Sequence, residues 1–328
     1  MGQGSPPQSD RLSAVRRQRR GVCEPVLPAA SRKLSQLGIG QKEFQVSKDD
    51  LVDPFRLDGE VAVITGGSRG IGRAIAELYA ARGADVVICG RNEALGKQAA
   101  AEIAGSVQFI RADVTSEEDV RALVHSVIDE FGSLTVLVNN AGPTDLLHSR
   151  DVDGPIGHIS LENWRRVLDR TLTSAFLPSR YVLPVMLDQQ HGVIVNISSL
   201  AAAQAMPGFD TYSASKGGLE ALTRSIASGY GHLGIRCNAI RVGSIAVDHG
   251  DGSRRRYAAE DNAPDAWRRA VPPPEGHPAD IAHAALFLAA PASAYVTGTV
   301  LPVDGGLGAR SLMPWQTPRP EMLAKMDG

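Results

Sequence analysis

Tyr212 and Lys216 are four residues apart at the start of the stretch Tyr212–His232, whose apolar spacing predicts a helix. Side chains at i and i+4 project from one helix face, so a phenol and an ammonium are brought together. A phenol with an unperturbed pKa of about 10 is a poor proton shuttle at neutral pH, but a neighbouring ammonium favours the phenolate. The pair therefore suits proton transfer at an alcohol or carbonyl oxygen. An interfacial tyrosine with a solvated lysine has the same spacing, so the pattern needs support from elsewhere in the chain.

That support begins where the predicted strand Val61–Thr65 runs into Gly66-Gly67-Ser68-Arg69-Gly70-Ile71-Gly72 and then a helix. Gly66, Gly70 and Gly72 sit where a tight turn, close backbone approach to a pyrophosphate and close helix–strand packing exclude a side chain. The helix N-terminus adds free N–H groups for phosphates. Residues Thr65, Gly66, Ser68, Arg69, Gly70, Ile71 and Gly72 thus form a candidate dinucleotide site. The second strand ends in Cys89-Gly90-Arg91, with no acid to bond a ribose 2′-hydroxyl. Arg91 and Arg69 are suited to a 2′-phosphate, which favours NADP(H) over NAD(H), the alternative being an Arg91 that only solvates a loop.

Further motifs follow in order: Asp113-Val114, Asn139-Asn140-Ala141-Gly142, Asn196-Ile197-Ser198-Ser199, Tyr212-Ser213-Ala214-Ser215-Lys216, Tyr295-Val296-Thr297-Gly298 and Val303-Asp304-Gly305-Gly306. With the glycine turn, they resemble the compact single-domain branch of the short-chain dehydrogenase/reductase family from Leu57 to Gly306. The resemblance implies a hydride-transfer enzyme interconverting a carbonyl and an alcohol. It implies Tyr212 as acid/base, Lys216 as its activator and a donor to the nicotinamide ribose, and Ser199, rather than Ser198, as the holder of the substrate oxygen. Asp113 and Val114 would meet the adenine, and Asn139, Ala141 and Gly142 would bind or support the cofactor. It also implies a homodimer or homotetramer assembled through Leu161–Gln189 and Tyr212–His232, whose apolar faces are equally compatible with ordinary core.

Two departures stand out. Aligning Trp164–Phe176 on the family's central helix puts Thr171 where an asparagine helps a water join the lysine to solvent, and a threonine hydroxyl is shorter and offers fewer groups. The family's Pro-Gly is Val242-Gly243 here, and Val247 lies near the place of a threonine. Gly243 and Ile245 remain as backbone contacts to the cofactor. These changes are compatible with an altered substrate, weak activity, or a nucleotide-binding or regulatory protein without turnover.

The elements that must position these residues alternate along the chain. Strand-like runs at Val61–Thr65, Asp85–Cys89, Val107–Arg111, Thr135–Asn139, Gly192–Ile197, Arg236–Val242 and Thr299–Val303 alternate with helix-like stretches at Gly72–Arg82, Asn92–Ala104, Glu117–Phe131, Leu161–Gln189, Tyr212–His232 and Ala279–Ala289. This pattern predicts an α/β fold, a Rossmann-like doubly wound parallel sheet with helices on both faces. We expect one oxidoreductase domain over residues 56–310, a flexible Arg/Pro/Ser-rich extension over 1–55 and a tail over 311–328. Arg16, Arg17, Arg19 and Arg20 are compatible with a presequence, an anion-binding patch or no role.

Composition narrows the classes. The chain has 328 residues, 43% hydrophobic and 5% aromatic, with a formal net charge of −2, which suits a packed α/β enzyme and gives no support to nucleic acid as the main partner. No apolar run reaches the roughly 20 residues of a membrane span. Cys23, Cys89 and Cys237 lack paired or metal-ligand spacing, so a cytoplasmic setting is expected. His148, His158 and His249 also lack ligand spacing, and no metal is inferred. The Gly-, Arg- and Pro-rich stretch from Ser244 to Pro278 falls where a substrate lid is expected, and Arg254–Arg256 suit either an anionic substrate or solvent. The expected partner is a small carbonyl or alcohol substrate.

Overall fold

In the computed structural model of the protein, the structure describes Met1 and residues 53–143, 152–204, 206–247 and 275–309. The expected extension up to residue 52, Cys23, His148, most of the expected lid with His249 and Arg254–Arg256, and the tail lie outside the described residues. Seven strands form one sheet: β1 (Val61–Thr65), β2 (Asp85–Gly90), β3 (Val107–Arg111), β4 (Val136–Asn139), β5 (Gly192–Ser199), β6 (Ile235–Val242) and β7 (Val300–Val303). Their order is β3-β2-β1-β4-β5-β6-β7, and every pairing is parallel.

The strand sequences explain the two-sided burial. In β1, Ala62 and Ile64 pack with Ile75, Tyr79 and Ile88, while Val61 and Val63 point to the opposite face among Leu123, Leu137 and Ile194. Alternate side chains leave opposite faces of a strand, so a strand covered on both sides must be apolar throughout. Helices α1 (Gly70–Ala81), α2 (Glu93–Glu102) and α7 (Pro278–Ala289) cover the first face. The second is covered by α3 (Glu117–Phe131), α5 (Ser174–Gln189) and α6 (Asp210–Tyr230). Tyr79, fully buried on α1, donates its hydroxyl to the Ala285 carbonyl of α7 at 2.8 Å, which ties these two helices together.

The chain builds outward from β1 to β2 and β3, then crosses to β4 on the other side of β1. At this reversal the connections leave in opposite directions, opening a crevice at the carboxyl ends of β1 and β4. Buried amides secure that edge. Asn139 donates through Nδ2 to the Ser179 hydroxyl at 3.0 Å and to Asn196 Oδ1 at 2.8 Å, and Asn196 donates to the Thr223 hydroxyl at 2.9 Å. Helix α5, strands β4 and β5, and helix α6 are thereby linked below the crevice.

The expected long helix Leu161–Gln189 is not uniform. Helix α4 (Leu161–Leu168) passes into a π turn over Asp169–Thr173 before α5 resumes. Apolar periodicity registers the helical runs but not the one-residue insertion that a wider turn represents, and Thr171 lies inside it. Helix α6 begins two residues before Tyr212. No helix among the described residues is long and apolar enough to cross a membrane.

At the amino end of the sheet, His191 Nε2 lies 3.2 Å from both carboxylate oxygens of Glu60. The Glu60 hydrogen bond raises the His191 pKa against the effect of burial. Burial acts upward on Glu60 but is outweighed by hydrogen bonds from His191 and Thr135, so the carboxyl is held below its usual range. The raised histidine contributes stability below its unfolded pKa and loses it as pH rises through the folded value. The lowered carboxyl contributes above its unfolded value and loses it as pH falls. With the imidazole half exposed, His191→Gln is expected to cost less than about 1 kcal/mol. The cost should peak at about pH 5–6 and vanish at alkaline pH. Melting temperature against pH for both proteins measures this, and a difference that keeps growing as pH rises above about 7 contradicts it.

Candidate active site

The glycine turn is built by contacts that reach across the sheet. The Thr65 hydroxyl accepts the N–H groups of Asn140 and Ala141, each at 3.0 Å, and Asn140 Nδ2 donates to the carbonyls of Thr65 and Gly66 at 2.9 and 3.1 Å. These bonds lock the end of β1 to the end of β4. Gly66 has φ +68°, and a Cβ there would lie 3.1 Å from Ala141 Cα. A Cβ on Gly72 would lie 2.4 Å from the Gly66 carbonyl oxygen and 2.5 Å from Asn140 Nδ2. Arg69, at the N-cap of α1, makes no side-chain capping bond, and Gly70 and Ile71 of the first turn line the cleft.

This cradle tests directly as a pyrophosphate site. Gly72→Ala must displace backbone, because the clashing atom is a carbonyl oxygen rather than the end of a flexible side chain. The expected result is a stability loss of about 2 kcal/mol and at least a roughly tenfold loss of dinucleotide affinity. Thermal melts and fluorescence titration read the two effects, and wild-type affinity in this variant would remove Gly72 from the cradle.

The turn opens onto a cleft of about 480 Å³ lined by Arg69, Arg91, Ala141, Ser199, Tyr212 and Lys216, among others. Gly66, Ser68, Gly70, Ile71, Asp113, Val114, Gly142 and Gly243 also line it. Thr65, Gly72, Asn139, Thr171 and Ile245 do not. Thr65 and Asn139 lie beneath the cleft as supports, Gly72 packs under the turn, and Ile245 pairs through its backbone with Gly276. The Thr171 hydroxyl is buried and has no hydrogen-bond partner.

Helix α6 presents Tyr212 and Lys216 together, with Lys216 Nζ 5.7 Å from the centre of the Tyr212 ring. Lys216 is 5% exposed and donates to the Ile197 carbonyl of β5 at 2.6 Å. Burial lowers its pKa to about 8. The neighbouring serines both line the cleft but differ in their bonds. Ser199, at the end of β5, accepts the Ala201 N–H at 3.2 Å, whereas Ser198 donates to Glu220 Oε1 at 2.9 Å.

Glu220 lies one turn beyond Lys216 on α6 and receives Arg241 of β6 in a forked pair, with Nε at 3.0 Å and a terminal nitrogen at 2.7 Å. The Ser198–Glu220–Arg241 group fastens α6 to β5 and β6 immediately behind Ser199. Val242 continues β6, registered between Ser199 and Val303, and Gly243 is required beside it because a Cβ would lie 2.6 Å from Asp304 Cα. The Asp113 carboxyl is held below its usual range. Burial opposes this, but hydrogen bonds from Thr115 and the nearby Arg91 and Arg170 prevail.

Sequence reasoning missed Asn140, Arg170, Ser174, Glu220, Arg241 and Asp153. Arg170, inside the π turn, and Ser174, at its C-terminal end, line the cleft wall. The Asn140 side chain bonds carbonyls 74 and 75 residues away, a pairing without a local signature. Among the described residues, no group of three or more His, Cys, Asp or Glu side chains is placed to hold a metal ion.

The comparisons with known proteins agree with this geometry. Residues 66–308 match the family model described as enoyl-(acyl carrier protein) reductase. The chain is 38% identical over 256 residues to 3-oxoacyl-[acyl-carrier-protein] reductase FabG of Chlamydia muridarum, covering 76% of this chain and 98% of the relative. It is 34% identical over 256 residues to glucose 1-dehydrogenase 2 of Bacillus subtilis, covering 76% and 95%. The crystal structure of gox2181 superposes with a TM-score of 0.71 at 30% identity, covering 78% of this chain and 98% of that one. With an all-parallel sheet reversing beside a glycine turn, and relatives aligned over nearly their whole length, the chain belongs to the short-chain dehydrogenase/reductase family of oxidoreductases acting on CH–OH and C=O groups.

Proposed function

We propose that the protein is an NADP(H)-dependent ketone or aldehyde reductase, reversible as an alcohol dehydrogenase, with Tyr212 as acid/base, Lys216 as its activator and Ser199 as the anchor of the substrate oxygen. The observation that carries this reading is the convergence of all three side chains on the cleft that the glycine turn lines. The turn suits a dinucleotide, since Gly66 and Gly70 line the cleft without side chains, and Gly66 and Gly72 let the turn close against Asn140 and Ala141 where a Cβ would clash. Backbone N–H groups of α1 would hold the pyrophosphate, Asp113 and Val114 the adenosine, and Asn139 would support the floor. Arg69 and Arg91 line the cleft with Asp113, and two guanidiniums beside a bound adenosine would favour a 2′-phosphate over a bare 2′-hydroxyl. When bound, the nicotinamide supplies the hydride chemistry.

The chain's own residues handle orientation and the proton. Ser199 donates a hydrogen bond to the carbonyl oxygen and fixes the face it presents. Tyr212 gives its phenolic proton to that oxygen as negative charge develops there. The Lys216 ammonium stabilises the resulting phenolate and, in the reverse direction, prepares it to accept a proton.

Several features support the wider reading. The described elements from β1 to β7 share one sheet, in keeping with a single oxidoreductase domain over residues 56–310. Leu161 and Phe176 are exposed on α4 and α5, which supports assembly of a homodimer or homotetramer through that face. Cys89 and Cys237 are buried free thiols whose pKa values burial pushes up to about 12, which makes them unreactive core residues.

A panel of ketones and aldehydes assayed with NADPH and with NADH tests the proposal. Turnover with NADPH preferred is expected. Preference for NADH rejects the roles given to Arg69 and Arg91, and dinucleotide binding without turnover rejects the enzymatic assignment of Tyr212.

A further inference from the structure

We propose that Asp153 is a positioning residue for Tyr212, one half of a two-carboxylate clamp that joins residues 153–156 to the first turn of α6; this rests on the acid/base reading of Tyr212. Helix α6 lacks a local cap, because Phe209 at its N-cap offers no side-chain acceptor. Its first N–H groups must find partners elsewhere or remain unsatisfied in a buried place. Asp153 provides them from 58 and 59 residues away. Its Oδ1 accepts the Thr211 N–H at 3.1 Å, and its Oδ2 accepts the N–H of Tyr212 itself at 2.9 Å.

The carboxylate is 4% exposed, and Oδ1 also accepts the Gly154 N–H at 3.0 Å, so the segment that carries it is folded around the same group. The contact is returned. Asp210, the first residue of α6, accepts the Ile156 N–H on Oδ2 at 2.8 Å. Two carboxylates, one from each segment, therefore cross between the β4–α4 connection and the tyrosine-bearing helix. Negative charge at that helix end also complements the helix dipole.

A cap supplied by the N-cap residue would stabilise the helix wherever it lay. One imported from another connection also fixes where the first turn sits, and Tyr212 is in that turn. Lys216 is held separately through the Ile197 carbonyl, and the dinucleotide cradle is built from β1, α1 and β4. Loss of Asp153 should thus move Tyr212 relative to Lys216 and Ser199 while sparing the cradle. A displacement of about 1 Å at a reacting group is enough to cost roughly a hundredfold in rate.

The test compares the wild-type chain with Asp153→Ala, Asp153→Asn and Asp210→Ala. Amide hydrogen exchange at residues 210–213, NADPH affinity by fluorescence, and kcat and KM for a carbonyl that the wild type reduces are measured on each. For Asp153→Ala, exchange at the helix start should quicken at least about tenfold and kcat should fall by about a hundredfold, with KM and NADPH affinity within about threefold of wild type. Asp153→Asn keeps one acceptor and the same shape, and should recover roughly a tenth or more of the lost rate. Asp210→Ala, which breaks the returning bond, should lower kcat by about threefold to tenfold.

Wild-type kcat in Asp153→Ala overturns the positioning role, and unchanged exchange overturns the clamp. Equal losses of kcat and NADPH affinity would show a general structural lesion and also overturn the role. If Asp153→Ala does not fold, Asp153→Asn and Asp210→Ala decide, and wild-type kcat in both rejects the proposal. A wild-type chain that binds NADPH but reduces no carbonyl overturns the acid/base reading instead, and the exchange measurement still decides the clamp.

Discussion

Replacing Tyr212 with phenylalanine is expected to lower kcat by about a thousandfold, the middle of the range for loss of a positioned acid/base group, while leaving dinucleotide affinity within about twofold. The substitution keeps the ring and its placement over Lys216 Nζ, and removes only the proton carrier. The side chain is half-buried at the cleft, so the stability change should stay below about 1 kcal/mol. Single-turnover kinetics with bound NADPH separates chemistry from product release. Retention of more than about a tenth of wild-type rate in the chemical step would reject Tyr212 as the proton donor.

Lys216→Met should show the opposite pairing of effects, with lost activity and retained or increased stability at neutral pH. Burial depresses the ammonium pKa from its ordinary value of 10.5 to about 8 in the folded chain. The unfolded chain therefore binds more protons between those values, and stability rises with pH across that window. Below about pH 8 the buried charge costs the fold on the order of 3 kcal/mol, a difference that methionine removes. Part of that gain is offset by loss of the 2.6 Å bond to the Ile197 carbonyl. The wild type should therefore be relatively least stable at or below neutral pH, and any advantage of Lys216→Met should shrink as pH rises toward about 10. Turnover should fall at least about a hundredfold, because the adjacent ammonium that favours the phenolate is lost. Melting curves and initial rates at several pH values report both effects. A variant that is active, or whose stability disadvantage is greatest at neutral pH, would contradict the account.

The same lysine shows how stability and function are opposed at this site. An isolated buried ammonium is unfavourable to the fold, yet its position beside the phenol makes it useful for proton transfer. The forked Glu220–Arg241 pair one turn further along α6 is different, because its charges compensate each other and Ser198 occupies one carboxylate oxygen.

Much of the fold was legible because its signals are local. The run Val61–Thr65 is apolar at every position but the last and is a strand with those bounds, and Ser116 caps the helix expected over Glu117–Phe131. Gly66-Gly67-Ser68-Arg69-Gly70-Ile71-Gly72 announced its turn because positive φ and close approach demand glycine at fixed places. The expectation of an unbroken helical run over Leu161–Gln189 was corrected by the π turn, whose extra residue leaves the surrounding apolar pattern intact. Motif spacing selected Ser199 over Ser198; both line the cleft, and they differ in that the Ser198 hydroxyl is bound to Glu220.

Tyr212 and Lys216 mark the boundary between what composition and spacing encode and what folding adds. Their types, their shared helix face and the preceding glycine turn are properties of a few consecutive residues, so the sequence alone specified the class of chemistry. The burial that lowers the Lys216 pKa, the Asn140 bonds across to β1 and the Asp153 cap on α6 arise between segments distant in the chain. Those contacts depend on the strand order β3-β2-β1-β4-β5-β6-β7, which makes β1, β4, β5 and β6 neighbours, and on their parallel pairing, which brings their carboxyl ends to one edge. Local periodicity carries no information about which polar groups meet across that edge, because hydrogen bonding and desolvation are decided by three-dimensional proximity.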